Sequence, residues 1–252
     1  MTRLVIFDLD GTLYRGESPL PEARECVARL RAAGIQVAFL TNNSSYGRAE
    51  IGAKLRRLGF SAEDRECYGT SDEAAWTCRE EAYRRVYVVG EPGLQRAIEG
   101  AGVEAVRDPE DDSTPCDAVV AGICREFSYR WLDSALQHLL RGAEFIATNP
   151  DPTYPLEGGR LSPGAGSIVS SLKTASNRDP LVLGKPEPRI LHRILRDFEA
   201  SPTETWVVGD RIDTDLEAGR RAGCGTWLTL TGVTSELPVG QAGGPNLASL
   251  VF

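Results

Sequence analysis

The sequence predicts an α/β fold built on a doubly wound parallel sheet, with a second α/β domain inserted into the first. Short apolar runs, rich in the β-branched and aromatic residues that fill parallel sheets, alternate with segments that carry apolar residues at helical spacing. Strand, helix, strand, helix is the order typical of this fold class. The stretch 83–177 repeats that order with strands of its own. We therefore expect an inserted domain at 83–177, between the two parts of the main domain at 1–82 and 178–252.

The first elements of the main domain follow from apolar spacing and stop signals. Residues 4–7 have the pattern of a buried strand, and residues 21–33 place apolar side chains on one helical face before Gly34 ends the helix. The strand 181–183 marks the expected return to the main domain. The other predicted strands are 35–40, 67–70, 85–90, 118–123, 144–148, 205–208 and 226–230, and the other predicted helices include 48–58, 129–141 and 188–198.

Composition and charge argue against several classes of protein. The chain has 252 residues, 41% hydrophobic and 25% charged, which is ordinary for a globular protein. Its net charge of −8 disfavours non-specific binding to nucleic acid, which depends on basic patches. No apolar run approaches the roughly 20 residues of a membrane helix, and no signal peptide is recognisable. The six scattered cysteines include no CxxC pair, so we expect reduced thiols and a cytoplasmic protein.

Two carboxylates follow the first predicted strand directly. Asp8 and Asp10 are two residues apart, so an extended chain would point both to one face, and Gly11 allows a sharp turn after them. Ligands of open α/β sheets bind beyond the carboxyl ends of the strands. A phosphate there would meet a repulsion of roughly 4 kcal/mol for each like-charge pair at ~4 Å. Phosphate binding therefore requires a divalent cation and a fixed positive group.

Polar residues follow three further predicted strands. In a parallel sheet all of these strand ends lie on one edge. Asp8 and Asp210 supply the hard oxygen ligands that suit Mg²⁺, and Lys185 supplies a compact positive charge. The Thr41 hydroxyl and the main-chain amides after it can cradle phosphate oxygens. The three clusters are Thr41, Asn42 and Asn43; Lys185; and Asp210, Asp213 and Asp215.

Each cluster also has a purely structural interpretation. A Thr-Asn-Asn sequence after a strand is usually a turn, a lysine before a proline is usually solvated, and acids at 213 and 215 can start a helix. The occurrence of all the clusters in this order, each after a buried strand, favours a phosphate and cation site. A dinucleotide-binding domain would need GxGxxG after the first strand, and residues 11–16 do not supply it.

The clusters are similar to the motifs of a known family. DLDGTLYRG, TNNSS, GKPEP and GDRIDTD resemble, in order, the four motifs of the haloacid dehalogenase (HAD) superfamily. The insertion, with IATNPDPTYP and SPGAGSIVSSL, resembles the C2 cap of subfamily IIA, which includes 4-nitrophenyl, nucleotide and phosphoglycolate phosphatases. The resemblance implies a Rossmann-like HAD core with an inserted α/β C2-type cap domain.

The resemblance also implies a Mg²⁺-dependent phosphatase that hydrolyses small phosphomonoesters through an aspartyl-phosphate. Asp8 would be the nucleophile and Asp10 the general acid and base. Mg²⁺ would be held by Asp8, the main-chain carbonyl of Asp10 and Asp210, and Asp215 would brace the metal's surroundings or Lys185. The residues expected to hold the substrate are Thr41, Asn42, Asn43, Lys185 and Tyr154.

The alternative function is a non-catalytic phospho-ligand-binding protein or a phosphotransferase on the same fold, although the presence of both Asp8 and Asp10 favours hydrolysis. The expected partner is a small phosphorylated metabolite, with no nucleic acid and no membrane, and the chain is expected to be a monomer or a cap-mediated homodimer. Many relatives carry Asp where Cys124 stands, and pyridoxal phosphatases carry His where Tyr154 stands. The sequence therefore leaves the phosphomonoester open.

Overall fold

The computed structural model describes residues 1–111, 113–155 and 160–251. They form two compact units. The first unit comprises residues 1–41, 48–68 and the chain from Lys185 onward, and the second comprises Asn42–Gly47 and Gly69–Gly184. The domain division 1–82, 83–177 and 178–252 remains a prediction, and both of its boundaries fall within the second unit.

Each predicted strand is found, with its ends displaced by two residues at most. The strands are β1 (Leu4–Asp8), β2 (Tyr14–Arg15), β3 (Ser18–Pro19), β4 (Gln36–Thr41), β5 (Cys67–Gly69), β6 (Arg85–Val89), β7 (Glu104–Val106), β8 (Ala118–Ala121), β9 (Glu144–Ala147), β10 (Thr153–Pro155), β11 (Leu161–Pro163), β12 (Leu181–Val182), β13 (Thr205–Gly209), β14 (Gly225–Thr229) and β15 (Gly243–Gly244). The helices are α1 (Ala23–Ala32), α2 (Arg48–Arg57), α3 (Thr70–Glu80), α4 (Pro92–Gly100), α5 (Tyr129–Leu140), α6 (Ala165–Ser176), α7 (Arg189–Asp197) and α8 (Glu217–Arg221).

The first unit is built on a six-stranded sheet of order β15-β14-β13-β1-β4-β5. β1 is central and runs parallel to both of its neighbours, with Leu4 in register with Thr205 of β13 and Gln36 of β4. Its four apolar residues are fully buried, as expected for a strand inside a parallel sheet. Val5 and Phe7 share one core with apolar residues of β4, α1 and α2. This burial fixes the strand that leads to Asp8.

The second unit is built on a five-stranded sheet of order β12-β9-β8-β6-β7, in which every neighbouring pair is parallel. Its strands bury both faces. Tyr87, Val119 and Phe145 point to one core, and the alternate residues Val88 and Val120 point to the other. The unbroken apolar runs of these strands follow from this two-sided burial.

The predicted strand at 181–183 was assigned to the wrong sheet. We expected it to return to the main domain, but β12 pairs with β9, with Leu181 opposite Ile146 and Val182 opposite Ala147. Leu183 is fully buried in a core of the second unit. An apolar run identifies a strand but not its partner, so the sequence pattern alone did not show this pairing.

Two observations concern membranes and thiols. In the part of the chain that the structure describes, no helix is long and apolar enough to cross a membrane. All six cysteines are buried free thiols. Cys124 lies in a core of the second unit with residues such as Trp131 and Ala135.

The close approach of Gly93 to the backbone of Ser45, in the second unit, predicts that a larger residue at 93 would destabilise the fold. A Cβ atom added at Gly93, in α4, would lie 1.9 Å from the main-chain oxygen of Ser45. Because the close atom belongs to the backbone, rotation of a side chain cannot relieve the contact, so Gly93→Ala should lower the free energy of unfolding by about 2 kcal/mol or more. Thermal and urea denaturation would measure the loss.

Gly100→Ala is the matched control, because Gly100 lies in the same helix and a Cβ there would meet nothing within 4 Å. It should be neutral or slightly stabilising. Equal stability of the two variants would contradict the close contact.

Candidate active site

Asp8 ends β1, and the chain turns immediately afterwards. The main-chain N–H groups of Leu13 and Tyr14 donate to the Leu9 oxygen at 2.8 and 3.2 Å, and Gly11 N donates to Tyr14 O at 2.8 Å. Gly11 has a φ of +88°, which favours glycine, and a Cβ there would lie 2.7 Å from Asp210 Oδ2. The strand therefore stops before Asp10, which is exposed on the turn rather than aligned with Asp8 along an extended chain.

Lys185 joins two carboxylates from different parts of the first unit. Its Nζ donates to Asp8 Oδ1 at 2.5 Å and to Asp215 Oδ1 at 2.6 Å, and its side chain is only 3% exposed. Burial by itself would lower the pKa of Lys185, but the charges of Asp215 and Asp8 outweigh it and raise that pKa above its usual value. The lysine is therefore held as a cation between the two acids.

Asp210 and Asp215 follow β13 and are held by main-chain donors. Val233 N donates to Asp210 Oδ2 at 2.6 Å, and Arg211 N donates to Asp215 Oδ2 at 3.0 Å. Asp213, the third acid of the cluster, instead pairs with the Arg211 guanidinium at 2.8 Å and is mostly exposed. The structure thus brings two of these three acids to Lys185 and Asp8.

The cluster has more negative charge than its lysine can balance. Asp8, Asp210 and Asp215 each offer a carboxylate oxygen, and these oxygens lie within 4.8 Å of one another. Burial, followed by repulsion from Asp215, raises the pKa of Asp210 to about 7. Burial also raises the pKa of Asp8 well above its usual value, although Lys185 opposes the shift. Three carboxylates and one ammonium leave a deficit of two positive charges, so the site fits a divalent cation.

The structure places the predicted phosphate-binding residues in different units. Thr41 ends β4 one residue beyond Leu40, which is in register with Asp8, so it lies at the same edge of the first sheet. Asn42 and Asn43 belong to the second unit. Asn42 Nδ2 donates to Asp151 Oδ2 at 2.9 Å, and Asn43 Oδ1 accepts from Ser45 N at 2.8 Å.

Tyr154 lies in the β10–β11 hairpin of the second unit, beside Arg125. The Arg125 guanidinium is 5.8 Å from the ring centre of Tyr154 and pairs with Glu91 at 3.2 Å. Partial burial would raise the pKa of Tyr154, but hydrogen bonds with Ser162 and Arg125 lower it below its usual value. The phenol is therefore tied into a charged cluster.

Sequence reasoning missed several neighbours of these residues. Glu91 and Arg125 follow β6 and β8 closely, so the strand-end rule that identified Asp8 would also have selected them in the second sheet. Val233 supports Asp210 through its main-chain N–H, for which no side-chain signature exists. Gly232 is needed beside it, because a Cβ there would lie 1.9 Å from Asp210 Oδ2.

Comparison with known proteins identifies the family of the chain. Two family models match the chain, one described as haloacid dehalogenase-like hydrolase at residues 5–104 and one as HAD-hydrolase-like at residues 182–247. A glycerol-3-phosphate phosphatase from Gallus gallus is 39% identical over 250 residues, which cover 92% of this chain and 80% of that protein. The chain belongs to the haloacid dehalogenase-like hydrolases.

Solved structures place this HAD hydrolase among the capped phosphatases. A p-nitrophenyl phosphatase from Archaeoglobus fulgidus has a TM-score of 0.89 and 32% identity, covering 98% of this chain and 97% of that one. A glycerol phosphate phosphatase from Mycobacterium tuberculosis, in complex with magnesium, has a TM-score of 0.87 and 34% identity, covering 99% and 77%. The chain is thus an HAD-type phosphatase of subfamily IIA, and the predicted α/β fold class is confirmed.

The excess negative charge of Asp8, Asp210 and Asp215 predicts that a divalent cation stabilises the folded protein. Above pH 7 the Asp210 carboxylate is held ionised against its raised pKa of about 7, which costs stability in metal-free protein. Asp210→Asn should therefore stabilise the metal-free protein by roughly 1–3 kcal/mol and remove most of the further stabilisation that a divalent cation gives wild type. Thermal denaturation at pH 8, in EDTA and in increasing concentrations of divalent cation, would measure both effects.

Asp213→Asn provides the control, since this nearby carboxylate is mostly exposed and pairs with Arg211 instead. It should respond to the cation as wild type does. An Asp210→Asn protein stabilised by the cation as strongly as wild type would contradict the assigned site.

Proposed function

We propose that this phosphatase hydrolyses small phosphomonoesters in two steps, through phosphorylated Asp8 and with Mg²⁺ as cofactor. The observation that carries the proposal is the contact of Asp8 with buried Lys185, beside the carboxylates of Asp210 and Asp215. A carboxylate held next to a fixed cation and an incompletely neutralised acid cluster suits a nucleophile that must approach an anionic phosphate.

In the first step, an Asp8 carboxylate oxygen attacks phosphorus and the bond from phosphorus to the ester oxygen breaks. Asp10 gives its proton to the departing oxygen, so the leaving group departs as an alcohol. In the second step, Asp10 takes a proton from a water that attacks the phosphorus of phospho-Asp8. Inorganic phosphate is released and the Asp8 carboxylate is restored.

The residues that would hold Mg²⁺ are the carboxylates of Asp8 and Asp210 and the main-chain carbonyl of Asp10. When bound, the metal supplies positive charge that neutralises the phosphate oxygens near the nucleophile. Asp215 accepts from Lys185 and from Arg211 N, and in this proposal it keeps the lysine charged and in place. The relative solved with magnesium supports the choice of metal.

The phosphate itself would be held by Lys185, by Thr41 and by the chain at Asn42 and Asn43. Tyr154 stays the proposed contact for the rest of the substrate. The named relatives act on glycerol phosphate and p-nitrophenyl phosphate, which supports a small phosphorylated metabolite as the substrate class. A cytoplasmic location, and a monomer or cap-mediated homodimer, remain predictions from the sequence.

The decisive experiment measures phosphate release from 4-nitrophenyl phosphate and from a panel of phosphorylated metabolites, in Mg²⁺ and in EDTA. Wild type should be active only with metal. Asp8→Asn should lose activity by at least about 10³-fold, because the amide cannot form the phosphorylated intermediate. Asp10→Asn should slow release of phosphate from every substrate, because the water of the second step loses its base, and it should slow formation of phospho-Asp8 more for alkyl phosphates, whose leaving groups need a proton, than for 4-nitrophenyl phosphate.

Asp213→Asn serves as the control and should keep full activity. If Asp8→Asn turned over as fast as wild type, Asp8 would not be the nucleophile. If wild type bound phosphate yet released none from any ester, a phospho-ligand-binding protein would replace the phosphatase.

Tyr154 makes a separate prediction about specificity. A residue that contacts the leaving group should affect substrates unequally, so Tyr154→Ala should change kcat/KM by factors that differ about tenfold across the panel. Tyr129→Ala is the control, because Tyr129 is 83% exposed on α5 of the same unit. If Tyr154→Ala changed kcat/KM by the same factor for every substrate, Tyr154 would not determine specificity.

A further inference from the structure

The segment that follows Thr41 is held by side chains of the second unit. The Asn42 carbonyl oxygen accepts two hydrogen bonds, from Thr70 Oγ1 at 2.8 Å and from Asn149 Nδ2 at 2.7 Å. Further along the segment, the Tyr46 carbonyl accepts from Ser71 Oγ at 2.6 Å. The path of the main chain from Asn42 to Tyr46 is thus fixed by hydroxyl and amide donors of the second unit.

The side chain of Asn42 is held as well. Its Nδ2 donates to Asp151 Oδ2 at 2.9 Å, and Asp151 N donates to Asn149 Oδ1 at 3.1 Å. Asn149 is 5% exposed, whereas Asn42 and Asp151 are half-buried. A Cβ at Gly184 would lie 2.6 Å from Asn42 Oδ1, which places the amide oxygen against the backbone there.

The choice of an acid at residue 151 determines which way the Asn42 amide points. A carboxylate can only accept hydrogen bonds, so it selects the orientation in which Asn42 presents Nδ2. A neutral amide at the same position could accept or donate and would select less strongly. Asp151 therefore specifies one orientation of Asn42.

Fixing the Asn42 carbonyl also fixes the direction of the main-chain N–H of Asn43. The peptide unit is planar and trans, so the Asn43 N–H points opposite to the Asn42 carbonyl. Asn43 Oδ1 accepts from Ser45 N at 2.8 Å, which fixes the following turn. Successive main-chain N–H groups held in a turn form a concave anion-binding surface. The two donors on the Asn42 oxygen thus set the direction of one such group, the Asn43 N–H.

We propose that Thr70, Asn149 and Asp151 are positioning residues for phosphate binding, which orient Asn42 and the peptide that follows it so that the Asn43 N–H receives a phosphate oxygen. The proposal rests on the proposed phosphatase function. It assigns to the second unit a role in binding the phosphate that all substrates share, in addition to any role in recognising the leaving group.

The test uses Asp151→Ala and Asn149→Ala in the full chain with Mg²⁺. Because the phosphate is common to every substrate, KM should rise about tenfold for all members of the panel, with kcat changed less and the order of preference unchanged. Asp151→Asn should recover part of the loss, since an amide oxygen can still accept from Asn42. A substrate-dependent pattern would instead indicate contact with the leaving group and would overturn the proposal.

A binding measurement separates this inference from the reaction. Inorganic phosphate is titrated calorimetrically into Asp8→Asn protein and into the same protein carrying Asp151→Ala. The second change should weaken phosphate binding about tenfold. Unchanged affinity would overturn the positioning role while the proposed function stands. If Asp151→Ala weakened phosphate binding but wild type released no phosphate from any ester, the proposed function would be overturned and the positioning role would stand.

Asp117→Asn is the matched control for general loss of structure. Its carboxylate also accepts from main-chain groups of the second unit, Arg84 N at 2.7 Å and Arg85 N at 3.1 Å, but at the start of the sheet strands. It should lower thermal stability without changing KM or phosphate affinity. If Asp117→Asn raised KM as much as Asp151→Ala, the effect would be structural and the proposal would be wrong.

Discussion

The site of the first unit depends on one buried cation, Lys185, that is shared by Asp8 and Asp215. These residues come from three separate segments of the chain, and the apolar strands that precede Asp8 and Asp215 bring those two to one edge of the sheet. Removing one partner of a buried ion pair typically costs about 3–5 kcal/mol, because an uncompensated charge stays inside. The three groups therefore constrain one another, and the hydrophobic core and the charged site are not independent parts of the structure.

The same site is not optimised for stability. An apolar replacement for a buried ion pair is often neutral or stabilising, so Lys185, Asp8 and Asp215 are poorly explained as structural residues alone. Asp210 adds a further carboxylate, and the pKa values of Asp210 and Asp8 are raised because burial and repulsion are incompletely balanced. A divalent cation bound beside these carboxylates would relieve their repulsion. The imbalance is therefore a reason to expect binding at this position.

Much of this site was predictable from the sequence, and the exceptions have physical reasons. Asp8 and Asp210 were identified because each follows an apolar run, and the direction of the parallel strands β1 and β13 places both at one edge of the first sheet. Lys185 was identified in the same way, but its strand β12 pairs within the second sheet, so this rule does not explain its contact with Asp8. Asp213 was grouped with them by proximity in sequence, but it pairs with Arg211 on the surface. The partner of β12 was not predictable, since a short apolar run fits either sheet. The hydrogen bond from Val233 N to Asp210 could not be predicted, because a main-chain donor carries no residue-specific signal in the sequence.

Asn42 shows most clearly where prediction from local sequence ends. Its position after an apolar strand predicts a place in a polar strand-end cluster, but the partners of its side chain and carbonyl lie 28 to 109 residues away. A carbonyl that accepts two side-chain hydrogen bonds has a fixed peptide plane, so these distant residues determine what the neighbouring main-chain N–H can contact. The conformation of the segment after Thr41 is therefore set by Thr70, Asn149 and Asp151 as well as by its own residues.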